Sequence, residues 1–170
     1  MASFSTAYQI VQTNEGWSGR PGIDNNGGRV RYGVNEKAWP DMPPGFYDDT
    51  MDDATALAAA EGHYRGAEWA GVMGDQIHDQ LLANHALDMA VNAGIGGAVM
   101  VLQAVLNDAF GLGLALDGKM GPATLQAAND HPETKALFRA ARAGYYVAES
   151  LTSTGRGWLS TWLMRLKACG

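Results

Sequence analysis

The chain has a single cysteine among its 170 residues, Cys169. No intramolecular disulfide can form, the fold does not depend on an oxidising compartment, and the thiol is read as incidental. Positive charge is also scarce, with 12 Lys and Arg against 18 Asp and Glu, a formal net charge of -6 and a pI near 5.0. This balance argues against a nucleic-acid binder, which would carry a basic face. It also removes electrostatic attraction to an anionic membrane or cell wall, so binding to a wall must come from a shaped groove. Residues 1–8 show neither a basic n-region nor an apolar h-region, and no secretory signal is expected. No window is expected to reach the roughly 18 apolar residues of a membrane span. The patterns H-E-x-x-H, G-x-S-x-G and G-x-x-x-x-G-K-[ST] are missing, and with them the expectation of a zinc peptidase, a serine hydrolase or a nucleotide-binding loop. His63, His78, His85 and His131 have no paired metal spacing, so no metal is expected.

What remains is an apolar fraction of 46% in a chain long enough for one domain with a real core. Phe4, Ala7, Tyr8 and Val11 recur at helical spacing, with Ser3 or Ser5 as cap and Gly16 as stop. Residues 16–35 are rich in glycine and read as a loop with a small hairpin ending in Tyr32-Gly33-Val34. Thr50-x-x-Asp53 resembles a capping box opening a helix through Leu57, Ala60 and Tyr64. Asp48, Asp49, Asp52 and Asp53 read as first-turn charge rather than as a metal loop. The strongest helix spans 79–93, with Leu82, Ala86, Met89 and Ala93 on one face and Gly94 at its end. A further helix through Val99, Leu102, Val105 and Leu106 stops before Gly111. Asp117-Gly118 predicts a turn and Pro122 a first helical position. A long helix then starts at Pro132-Glu133 and runs through Leu137, Ala141, Gly144 and Val147. A last one, 157–166, carries Trp158 and Trp162, read as a core-facing stripe. The fold is expected to be mostly α.

The chemistry concentrates at Glu15. It sits at the predicted end of the first helix, where the negative end of the macrodipole favours the neutral carboxyl. A neutral acid is what a glycosidase needs to protonate a leaving oxygen, with a second group to activate water or stabilise positive charge. Asp24, in the glycine-rich loop, is the candidate for that second group. Trp17 and Tyr32 offer flat faces for sugar rings. Asn92, four residues after Asp88 on one helix, either reaches the sugar or supports the Glu15 loop, or only bonds backbone near the helix end. Arg165 is set as a partner for an active-site carboxylate. On the residues alone a second reading stands beside this one, with Glu15 a solvated helix-end residue and the glycines a plain surface loop.

The longer pattern resembles one family. Asn14-Glu15-Gly16-Trp17, followed by residues 25–34 (Asn-Asn-Gly-Gly-Arg-Val-Arg-Tyr-Gly-Val), is similar to the E-G-G-Y … G-G-x-T-x-Y-G-I signature of the glycoside hydrolase family 108 lysozymes. These are phage and prophage N-acetylmuramidases. Tyr64 and Trp69 stand where the family often has an aromatic pair, and residues 87–94 resemble its D-x-A-V-N-x-G helix end. Leu102-Gln103 together with residues 116–125 is similar to its C-terminal peptidoglycan-binding pattern, L-Q … D-G-x-x-G-P-x-T-L, and Gly157-Trp158-Leu159 to its closing G-W-L.

The resemblance implies a lysozyme-like helical domain with a small β-hairpin. Residues 1–94 would be the catalytic part and 95–170 a helical peptidoglycan-binding part, together one compact unit. It implies hydrolysis of the β-1,4 bond between N-acetylmuramic acid and N-acetylglucosamine in bacterial peptidoglycan. Glu15 would be the acid and Asp24 the second carboxylate, with no cofactor. A monomeric endolysin made in a host cytoplasm and reaching the wall after holin-type release is expected, with neither nucleic acid nor stable membrane insertion. Two positions depart from the pattern. Trp17 replaces the second glycine of E-G-G. Val30 replaces a threonine whose hydroxyl would hold the attacking water, and valine cannot hydrogen-bond. That departure leaves a lytic transglycosylase or a non-catalytic peptidoglycan binder as alternatives.

Overall fold

The computed structural model describes residues 1–15, 19–23, 27–48, 50–152 and 157–170. Helix makes up 64% of the chain, and among the described residues six α-helices accompany one small antiparallel sheet. The mostly helical expectation with a small β element therefore holds.

Helix α1 (Phe4–Glu15) begins at Ser3, whose hydroxyl accepts from the Thr6 N–H at 3.4 Å. It buries Phe4, Ala7, Tyr8 and Val11, the four residues picked out by their spacing. Phe4 stacks on Tyr8 at 5.2 Å and meets Trp69 edge-on at 5.6 Å, which fixes the helix against the following segment. Strands β1 (Gly22–Ile23), β2 (Arg29–Arg31) and β3 (Val34–Asn35) form the sheet in sequential order, with Gly22 opposite Val30 and Arg31 opposite Val34. The second hairpin closes through Tyr32-Gly33, both at positive φ (49° and 75°), the primed turn that suits a twisted hairpin. Tyr32 is an unusual occupant of that conformation. Its carbonyl accepts from the Tyr64 hydroxyl at 3.2 Å, and its own hydroxyl donates to Asp53 O at 3.2 Å.

Buried Arg31 ties the sheet to the next layer. Its guanidinium donates to Gly19 O (2.8 Å), Met51 O (3.0 Å) and Asp53 Oδ1 (2.6 Å). Asp53 therefore serves Arg31. The cap of α2 (Asp53–Tyr64) is Asp52, which accepts from the Thr55 N–H at 3.0 Å, and not Thr50 as the capping-box reading had it. Thr50 instead closes a local turn on Asp48. After α2 come a π-turn at Arg65–Trp69 and a short 3-10 turn at Gly74–Gln76.

Helix α3 (Gln80–Phe110) is the axis of the molecule, with α1, α4, α5 and the π-turn packed on it. By length and composition it could cross a membrane, contrary to the expectation that no window reaches that length. Here it is a core helix: every residue from Leu82 to Ala90 is buried, Asn84, His85 and Asp88 included, rather than one face only. The helical path breaks at Gly94 (φ 78°, ψ 155°), the stop expected there, and resumes with Ala98, Val99, Leu102 and Leu106 buried. Gly111, at φ 67°, caps the end by bonding Asn107 O at 2.8 Å.

Pro122 opens α4 (Pro122–Asp130). The turn before it rests on Gln103, whose amide donates to Asp117 Oδ1 (2.9 Å) and Lys119 O (3.1 Å) and accepts from the Gly118 N–H (3.0 Å). Gly118 lies so close to Gly96 that an added Cβ would meet its carbonyl oxygen at 2.8 Å. The L-Q … D-G-x-x-G-P-x-T-L pattern thus records a braced turn, and Asp117 anchors it as expected.

Helix α5 (Thr134–Ser150) buries Thr134, Phe138, Arg142 and Tyr146, a stripe rotated from the expected one. Leu137 and Val147 face outward (39% and 46% exposed), because the core side of α5 meets an acidic residue of α3 and an arginine answers it better than an aliphatic chain. Helix α6 (Leu159–Ala168) packs on α5 and touches α1.

Candidate active site

Glu15 is the last residue of α1, and its side chain is one-quarter exposed. It lines a cleft of about 390 Å³ together with Gly33, Val91, Asn92, Trp158, Thr161, Trp162 and Arg165. Arg165 of α6 reaches back across the fold and donates from Nη2 to Glu15 Oε1 at 2.8 Å, so the partner expected for an active-site carboxylate is in place. The helix dipole is therefore not the only field on Glu15. A guanidinium lies in contact, which the helix-end argument omits.

Behind this pair lies a buried charge cluster. Arg165 Nη2 is also 3.1 Å from Asp88 Oδ1, which accepts as well from Asn14 Nδ2 at 2.8 Å. Asp88 Oδ2 takes a 2.6 Å bond from Arg142 Nη2, and both side chains are fully buried. Arg142 further donates to the Tyr146 hydroxyl (2.9 Å) and contacts His85 Nδ1 (2.7 Å). Since arginine only donates, Nδ1 of His85 is the acceptor. Burial and the Arg142 charge push the His85 pKa down to about 4, so the ring is neutral at pH 7. Burial opposes the charge on Arg165, but Asp88 and Glu15 outweigh it and raise its pKa. Asp88 lies between Arg142 and Arg165, so neither buried guanidinium lacks a carboxylate, the condition for keeping such charges out of water.

Cys169 packs into this cluster, with Arg142 Nη1 donating to its Sγ at 3.8 Å. It is 1% exposed, its carbonyl accepts from Asn84 Nδ2 at 3.4 Å, and burial pushes the thiol up to about 12.

The sequence candidates divide as follows. Glu15, Asn92 and Arg165 meet in the cleft. Trp17 and Asp24 lie outside the described residues. Tyr32 is half-buried in the hairpin turn with its hydroxyl on Asp53 O, and Gly33 is the turn residue that lines the cleft. Val30 is half-buried in the middle of β2, paired with Gly22 and Asn35. The expected core stripe of Trp158 and Trp162 is corrected: Trp158 is 45% exposed and Trp162 half-buried, and both face the cleft. Their i, i+4 spacing identifies a shared face but does not say which one. Thr161 carries no signal in the sequence, and Val91 carries one only as part of the D-x-A-V-N-x-G pattern.

One further carboxyl stands apart. Glu68 in the π-turn is buried, its Oε2 has no hydrogen-bond partner among the described residues, and burial pushes its pKa up to about 7. His63 Nε2 lies 3.8 Å from its other oxygen. Among the described residues no group of three His, Cys, Asp or Glu side chains is placed to hold a metal ion.

A carboxyl held at the end of a helix on one wall of an open polar cleft fits acid chemistry on an extended substrate. Residues 8–94, just over half the chain, match the family described as glycosyl hydrolase 108, and the chain belongs to that family. Membership makes it a glycoside hydrolase and implies a peptidoglycan substrate. In fold the chain is similar to SagA of Brucella abortus, whose solved structure aligns over 98% of this chain and 92% of that one, at 22% identity and a TM-score of 0.70. No curated protein matches the sequence.

Proposed function

We propose that the protein is an endolysin-type N-acetylmuramidase, with Glu15 as the general acid for the β-1,4 bond between N-acetylmuramic acid and N-acetylglucosamine. The observation that supports this is the placing of Glu15: at a helix end, in a cleft, with Oε1 anchored on Arg165. Anchoring one oxygen leaves Oε2 to meet the glycosidic oxygen, and a fixed carboxyl saves the orientational cost of proton transfer. Asp24 completes the pair as the carboxylate that orients water or stabilises the oxocarbenium-like transition state. In this reading the protein acts as a monomer without a cofactor and reaches the wall from the host cytoplasm by holin-type release.

Mass spectrometry of muropeptides released from purified sacculi tests the proposal. Wild type should release reducing muramic ends. Glu15→Gln should lower release by about 10²-fold or more while melting as wild type does. Release unchanged by Glu15→Gln removes Glu15 from the role. Anhydro-muramic ends replace hydrolysis with lytic transglycosylation, the reading that the Val30 position favours because that reaction uses no water.

A further inference from the structure

Four of the eight residues lining the Glu15 cleft come from the α6 segment: Trp158, Thr161, Trp162 and Arg165. They stand at i, i+3, i+4 and i+7, so one face of the helix forms that wall. Arg165 is spoken for by Glu15 and Asp88, and the two tryptophans differ in what holds them. The Trp162 ring stacks on Tyr146 at 5.6 Å with 27° between planes. Tyr146 is fully buried, and its hydroxyl accepts from Arg142. Trp162 is thus braced from behind by the same cluster that holds Arg165. Trp158, one turn earlier, is 45% exposed beside a cleft otherwise rich in polar groups. Exposed Asn92 of α3 lines the same cleft.

A rigid aromatic wall beside an amide suits a ligand with one flat C–H face and one amide substituent. Peptides and lipids match only half of that description. An N-acetylated pyranose matches both, with its ring on the indole and its acetamido group toward Asn92, and the cleft volume of about 390 Å³ lies in the range of small-ligand sites.

We propose that this face of α6 is a binding subsite for one N-acetylhexosamine unit, with Trp158 as the stacking platform, Trp162 as its braced neighbour and Asn92 as the partner of the acetamido group. The inference rests on the glycan-cleaving reading of the Glu15 cleft. It makes the last helix part of the substrate-binding surface.

The test has a binding arm and a turnover arm. Calorimetric titration of chitotetraose into the Glu15→Gln protein should weaken roughly tenfold when Trp158→Ala is added. Trp158→Phe should keep most of the affinity. Cellotetraose, which lacks acetamido groups, should bind more weakly than chitotetraose, and Asn92→Ala should narrow that gap. On sacculi, Trp158→Ala in the otherwise wild-type protein should raise KM with kcat nearly unchanged. Thermal melts confirm that each variant is folded. Chitotetraose binding indifferent to Trp158→Ala, equal binding of the two tetrasaccharides, or a loss of kcat at constant KM each overturns the subsite. A Glu15→Gln protein that still cleaves sacculi overturns the catalytic reading alone, since the response of oligosaccharide binding to Trp158 and Asn92 is read independently of cleavage.

Discussion

Residues 1–94 and residues 95–170 contribute to one cleft in different currencies. The first region supplies Glu15, the Gly33 turn, and Val91 and Asn92 of α3. The second supplies an aromatic face and the cation that anchors Glu15, from a helix 150 positions away in sequence. The family match stops at residue 94, where α3 breaks at Gly94. The lesson is that a local motif can place a carboxyl at a helix end, whereas fixing that carboxyl and walling its cleft are tertiary tasks. The two regions are joined in the core by Asp88 of the first holding Arg142 and Arg165 of the second.

That joint is the place to break the comparison. Asp88→Ala leaves buried Arg142 without a carboxylate and Arg165 with Glu15 alone. Removing one partner of a buried pair costs about 3–5 kcal/mol, which for a domain of this size lowers the melting temperature by roughly 10 °C. Activity on sacculi should fall with it even at temperatures where the variant stays folded, because Arg165 loses the group that sets its position. An Asp88→Ala protein that melts and cleaves as wild type does would separate the cluster from both stability and function.

A pH series distinguishes the joint from chemistry confined to the first region. Glu68, whose charged contact is with His63 of its own region, has a carboxyl pushed up to about 7 by burial. The folded state therefore binds its proton more tightly than the unfolded state. The stability it contributes is full below about 4.5 and is lost as pH rises through 7. His85, bonded to Arg142 across the joint, is pushed down to about 4. Its contribution is full above about 6.5 and is lost as pH falls through 4. Between pH 4.5 and 6.5 the two slopes oppose each other in wild type. Glu68→Gln should expose the His85 slope, a stability that falls by up to about 3 kcal/mol on acidification from pH 6.5 to 4. His85→Gln should expose the opposite slope. Urea unfolding at half-unit pH steps reads both, and unchanged profiles in the two variants would refute the assignment.

The legible part of this molecule is the part written in short-range pattern. The buried face of α1, the stop at Gly94, the proline at the start of α4 and the turn at Asp117 follow from spacing, capping and turn chemistry. The place of Glu15 at the end of α1 is legible in the same way, and the sequence expectation that Arg165 pairs with a carboxylate is met at Glu15. The failures share a cause. Spacing alone points to the aliphatic face of α5 as its core face, but the group α5 meets is Asp88, so the buried side carries Arg142. The i, i+4 spacing of Trp158 and Trp162 predicts a core-facing stripe, but on α6 that face meets a cleft. In both cases helical periodicity identified a face correctly, and only the packing partner decided its use. The cap of α2 failed more locally, since Asp52 competes with Thr50 for the same role and Arg31, from a different element, claims Asp53.

The smallest expected effect sharpens the comparison from the side of the second region. Gln103 closes the turn at residues 117–119 through Asp117, Gly118 and Lys119, and its 3.4 Å contact with Thr124 ties that turn to α4. Its hydrogen bond also holds the Asp117 carboxyl below the usual carboxylate range. None of these residues lines the Glu15 cleft. Gln103→Ala removes the brace and leaves the Gly118 N–H to find water, a loss on the order of 1–3 kcal/mol. Stability should drop while KM and kcat on sacculi stay near their wild-type values. The turn would then be a structural element of the second region, distinct from α6, which takes part in the site. A Gln103→Ala protein that stays folded yet loses affinity for sacculi would instead place glycan contacts on the α4 side of the molecule, and the division between a bracing turn and a binding helix would have to be redrawn.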